Sequence, residues 1–89
     1  MIDFQEILES VRTNAPVDRA GFLLIEAANE YPQLFDAIIN NLEAPPEAVM
    51  KQITAAFPLA TLITFSSNWR EWIINLQKFF KEAQKNGKI

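Results

Sequence analysis

Apolar positions recur along this chain at helical spacing. Phe4, Ile7, Leu8 and Val11 fall at i, i+3, i+4 and i+7, a narrow stripe with Glu6 and Glu9 on the other side. Asp3 followed by Glu6 has the form of a capping box, and Ile2 is spaced to pack on Ile7 as a hydrophobic staple. A first helix is expected to start there and to stop around Asn14, because Pro16 disfavours a helical Ala15.

A second helix should begin near Pro16 or Val17 and run through FLLIEAA to about Glu30, since proline is tolerated in a first turn. Its Phe22, Leu23, Leu24 and Ile25 point in four directions, a pattern that predicts a helix in the middle of a bundle. Gly21 suits a close helix approach there; the plainer reading is a defect costing ~1 kcal/mol against Ala. Pro32 is expected to open a third helix with Leu34, Phe35, Ile38, Ile39 and Leu42 on one broad face. Pro45-Pro46 is the clearest linker, and the second proline suits the start of a fourth helix whose Val49, Met50, Ile53, Ala56 and Phe57 share a side. Pro58 must break or kink that helix.

The most apolar and aromatic stretch, FPLATLITFSSNWREW, follows the break. Ile53 to Phe65 is an apolar run of 13 residues that includes Pro58, too short for a membrane span of ~20 residues. Leu59 to Phe65 therefore reads as a short buried helix or helical turn past the kink. A strand over 61–65, paired between molecules, is the alternative, because no other segment could pair with it. Asn68 with Glu71 three residues on resembles a cap, so a last helix should run from Trp69 to about Asn86, with Gly87 at C′.

That last helix is strongly two-sided. Trp69, Trp72, Ile73, Leu76, Phe79, Phe80 and Ala83 project within roughly 120°, and Arg70, Lys78, Lys81, Lys85 and Lys88 within roughly 80° opposite. Ile74 falls among the cations, where a solvated face has no use for it. Closing the core explains the aromatic side, and the helix dipole explains lysines near a C-terminus. The competing reading gives the same helix an acidic partner or an anionic membrane surface.

Composition narrows the field further. The chain has 89 residues with 49% hydrophobic and 21% charged residues, and it has neither cysteine nor histidine. This is the composition of one globular domain spanning 1–89, and with no disulfide framework its stability must come from packing. The net charge of −3 is unevenly spread: residues 1–45 carry eight acids against Arg12 and Arg19, and residues 46–89 carry six cations against Glu47, Glu71 and Glu82. Such a chain can satisfy its charges by folding its halves together or by meeting copies of itself. The opening MIDFQEILES lacks the basic start and apolar run of a signal peptide, and a cysteine-free chain suits a reducing interior, so a cytoplasmic location is expected.

Candidate chemistry is scarce. Without His or Cys the commonest general base, thiol nucleophile and zinc ligands are missing, and the two glycines form no phosphate loop. Asp3, Glu6 and Glu9, and Glu26 with Glu30, have simpler uses as caps and exposed faces. No catalytic residue, cofactor or metal is expected. Nucleic acid is a poor fit, because the acidic first half would repel it.

The pattern thus predicts an all-α compact bundle of about five short helices with a kinked apolar segment at 58–66 and the FLLIEAA helix most central. The expected function is that of a small non-enzymatic interaction module, an adaptor, assembly factor or regulator, that binds a protein partner or itself. The expected binding residues are Trp69, Arg70, Ile74, Lys78, Lys81 and Lys85. The alternative is a peripheral membrane-surface protein whose aromatic stretch and basic last helix open onto an anionic bilayer, with the fate of Trp69 and Trp72 as the discriminating feature.

Overall fold

Prolines and caps set the boundaries of nearly every element. The computed structural model describes residues 3–87, and within them five α-helices and one 3₁₀ helix form an all-α bundle without a strand. Helix α1 spans Phe4–Arg12, and the Asp3 carboxylate accepts from the Glu6 amide at 3.1 Å, as the capping pattern requires. Ile2 and Lys88, the expected staple residue and the last expected cation, lie outside the described residues. At its other end Asn14 takes a φ of +51°, and the amides of Asn14 and Ala15 bond back to the carbonyls of Val11 and Ser10. That is a Schellman stop with Asn in the left-handed position usually taken by Gly.

Helix α2 is Val17–Ala27, with Pro16 in the cap position; it stops short of Glu30 in a turn closed by the Tyr31 amide on the Ala27 carbonyl at 2.7 Å. Helices α3, Pro32–Ile39, and α4, Pro46–Ala56, each have proline in the first turn, where no donor is missed. Phe57 is then extended ahead of Pro58, and its ring packs edge-on against Phe4 at 5.2 Å and tilts against Tyr31 at 5.7 Å. This aromatic cluster ties the end of α4 to the start of α1.

The segment after the kink is a 3₁₀ helix over Pro58–Phe65, long for its kind. Its three-residue repeat buries Ala60 and Ile63, but it turns Leu59 (52% exposed) and Phe65 (77% exposed) outward. The expectation of a wholly buried segment is corrected accordingly: three residues per turn leave only one row facing the core. Helix α5, Trp69–Lys85, ends at Asn86, with Gly87 at φ +72° in the C′ position. Asn68 holds the N-cap place without capping, because its Oδ1 accepts from the Ser66 hydroxyl at 2.6 Å.

The helix at the centre is α5, not α2. Among the described residues α5 alone packs against every other element, and its Trp72, Ile73, Leu76 and Phe80 are fully buried beside Ile7, Leu24, Leu34, Ile38, Ile53 and Ile63. In α2, Ala20, Gly21, Leu24 and Ala27 are buried but Phe22 and Ile25 face out. A bundle of this size has too few helices to surround two of them, and the longest amphipathic helix takes the centre. Two polar side chains go into the core with it. Trp72 Nε1 donates to the buried Ser10 hydroxyl at 3.2 Å, and the Gln77 amide donates to the carbonyls of Asn41 and Ala44 at 2.9 and 2.8 Å, fastening the α3–α4 connection. No described helix is long and apolar enough to cross a membrane.

Candidate interaction face

On the outer side of α5, the cations divide into two groups. Arg70 pairs with Glu47 at 2.5 Å, and its guanidinium lies 4.6 Å above the Trp69 ring. The hydrogen bond from Arg70 is the main cause holding the Glu47 carboxyl below its ordinary range. Lys81 pairs with Glu43 at 2.9 Å, so one cation of the basic half meets an acid of the acidic half within the molecule. Lys78 and Lys85 are exposed and form no ion pair among the described residues.

Of the six residues singled out by the sequence, Trp69 is buried beneath Arg70 and is reachable only if Arg70 moves aside. Arg70 and Lys81 are exposed but occupied by acids of the same chain. Ile74 (38% exposed), Lys78 and Lys85 remain on the open side of α5. Both Trp69 and Trp72 lie in the core. An insertion of those indoles into a bilayer would therefore require the bundle to open.

A concavity lies next to Lys78. A groove of about 550 Å³ between α2 and α5 is lined by Val17, Asp18, Phe22 and Ile25 from one helix and by Lys78, Phe79, Glu82, Ala83 and Asn86 from the other side. Its walls are mainly apolar and its rim is charged. Phe22 is 60% exposed and Ile25 39%, and Phe22 meets Phe79 edge-on with ring centres 5.5 Å apart. Phe79 leans in turn against Phe80 at 5.3 Å, so the floor of the groove rests directly on the core.

Gly21 makes this arrangement possible. A Cβ at that position would lie 2.4 Å from Cδ2 of Phe79, so only glycine lets the ring lie flat on α2 at the base of the groove. Of the two readings of Gly21, close approach is the one the structure bears out. A smaller hollow of about 210 Å³ lies between α1 and the 3₁₀ helix, where Leu8, Leu62 and the projecting Phe65 sit beside the Glu9–Arg12 pair.

Phe22, Ile25 and Phe79 were not among the expected binding residues. The signal for Phe22 and Ile25 is FLLI itself: four successive apolar residues cannot all face inward on a helix at the outside of a bundle. Among the described residues no cluster of acids has the arrangement of a metal site. Compared with protein-family models, with curated proteins and with solved structures, the chain matches none of them.

Proposed function

We propose that the protein is a small helical interaction module whose docking surface is the α2–α5 groove rather than the basic ridge alone. The observation that carries this reading is the outward placement of Phe22 and Ile25 together over an apolar hollow, whereas of the other exposed large apolar residues Phe65 borders only the smaller hollow and Leu59 and Ile74 line neither. Exposing such residues costs solubility, and exposed apolar surface rimmed by charge marks contact sites. Grooves between two helices accept side chains spaced along a third, with apolar contact supplying affinity and the rim supplying orientation.

Of the residues read from the sequence, Lys78 lines this groove from α5, while Ile74 and Lys85 are exposed on the same helix outside the lining. The bilayer alternative rested on the aromatic stretch and the basic last helix; the burial of Trp69 and Trp72 takes the two indoles out of it and leaves Leu59 and Phe65 as the exposed large apolar residues of that stretch.

The test is photocross-linking in the cells that make the protein, with a photoreactive phenylalanine analogue replacing Phe22 in one variant and the exposed Gln33 of α3 in another. A discrete adduct from position 22 that is missing from position 33 supports the reading. Equal or no adducts from both positions overturn it.

A further inference from the structure

We infer that the occupant of the α2–α5 groove is a second copy of this chain, docked about a two-fold axis so that each Phe22 enters the other's groove. The inference rests on the reading of that face as a docking surface and goes one step past it, from the site to its partner.

The α2 helix carries the complement of the groove beside it. Asp18, Phe22 and Glu26 stand at i−4, i and i+4, all exposed, forming one ridge that reads acid, aromatic, acid. At 1.5 Å per residue the two carboxylates are ~12 Å apart along the helix. On α5, Lys78 and Lys85 lie ~10.5 Å apart by the same rise, so the acids of one copy can face the lysines of the other on either side of a seated Phe22. None of these four charged groups forms an ion pair among the described residues, whereas Arg70 and Lys81 on the same helix are both engaged within the chain.

A two-fold interface requires one patch that is complementary to itself. An acidic rim on α2 and a basic rim on α5, with an aromatic knob and an apolar hollow between them, meet that requirement. Of the charged groups on α5, Lys78 and Glu82 line the groove itself, and Lys85, exposed seven residues after Lys78 on the same helix face, keeps that side net positive. Apolar burial would supply most of the affinity, and the charges would set register.

The experiment is analytical ultracentrifugation of the full chain from micromolar to ~1 mM, a range that detects even the weakest specific dimers. Wild type is expected to dimerise, and Phe22→Ser to weaken the dimer at least ~10-fold. Asp18→Lys with Glu26→Lys should abolish self-association by setting lysine against lysine, and Lys78→Glu with Lys85→Glu should do so by setting acid against acid. Mixed in equal amounts, these two variants should form a heterodimer of near wild-type affinity, because every reversed rim then meets its opposite. Glu82→Gln should tighten the wild-type dimer. All these positions are exposed or rim residues, and circular dichroism confirms that each variant is folded.

A monomeric wild type at ~1 mM, or a dimer indifferent to Phe22→Ser, overturns the inference, as does a mixture that stays monomeric. If wild type is monomeric while position 22 still cross-links to one other protein, self-docking fails and the interaction reading stands. If position 22 cross-links to nothing as well, both fail.

Discussion

Gly21 lies beneath Phe79 so closely that a Cβ added to it would sit 2.6 Å from the ring's Cγ as well as 2.4 Å from Cδ2. Two effects of opposite sign meet at this position. Gly→Ala in a helix interior gains ~1 kcal/mol of propensity, while forcing a methyl into a packed contact costs ~1–3 kcal/mol. The overlap reaches the base of the ring, which a χ2 rotation cannot clear, and Phe79 is held between Phe22 and Phe80. With three ring atoms within 2.6 Å the cost is expected in the upper part of that range, ~2–3 kcal/mol, so Gly21→Ala should lower stability by a net ~1–2 kcal/mol, or roughly 5–15 °C in Tm for a domain of this size. A melting curve unchanged or raised would show that Phe79 moves freely.

Ser10 and Trp72 form the second test. Ser10→Ala removes the acceptor and leaves a buried indole N–H without a partner, at an expected cost of ~1–3 kcal/mol. In Trp72→Phe the donor is lost along with ring volume, for ~2–4 kcal/mol. The double variant should be less destabilised than the sum, because the orphaned donor exists only in the Ser10→Ala background. Additive losses in urea unfolding would mean that the hydrogen bond contributes nothing.

Gln77 makes a separate prediction about local motion. Its amide fastens two carbonyls of the α3–α4 connection from the centre of the bundle. Gln77→Ala should cost ~1–3 kcal/mol, and amide exchange should speed up over residues 41–44 more than in α1, since the lost contacts are local. Uniform acceleration across the chain would contradict this.

The Glu47–Arg70 pair gives the pH dependence. The Glu47 carboxyl titrates below its ordinary value in the folded chain, because the Arg70 hydrogen bond and, less strongly, its own backbone amide favour the ionised form. A depressed folded pKa gives stability that is present above the unfolded value and is lost as pH falls through the folded one. The pair is exposed, so the effect on unfolding should be small. The sharper readout is NMR titration of the Glu47 side chain: Arg70→Ala should raise its midpoint toward the ordinary glutamate range. An unchanged midpoint would show that the pair does not persist in solution.

These tests depend on features of unequal legibility. Asp3, Asn14 and the prolines at 16, 32, 46 and 58 mark where elements start or stop, because caps and missing donors act locally. The aromatic stripe of α5 was equally plain, since one helix face records its own burial. What the sequence did not reveal depends on how many neighbours each helix has. FLLI reads as a helix buried all round, yet the bundle leaves Phe22 and Ile25 outside. Asn68 follows the cap pattern but bonds Ser66 instead, and the 3₁₀ winding of 58–65 follows from contacts that local propensity does not contain. Ser10 and Gln77 are polar residues that go into the core, and the partners brought by the fold, an indole and two loop carbonyls, account for their burial.

The central claim is that Phe22 belongs to a contact surface and not to the core that holds the bundle together. Its most direct test is urea unfolding of Phe22→Ser at micromolar concentration, compared with wild type. A surface residue predicts a loss of at most ~0.5–1 kcal/mol. A loss of ~3 kcal/mol or more, the scale of a buried phenylalanine, would make Phe22 a structural residue and remove the ground for a docking face between α2 and α5.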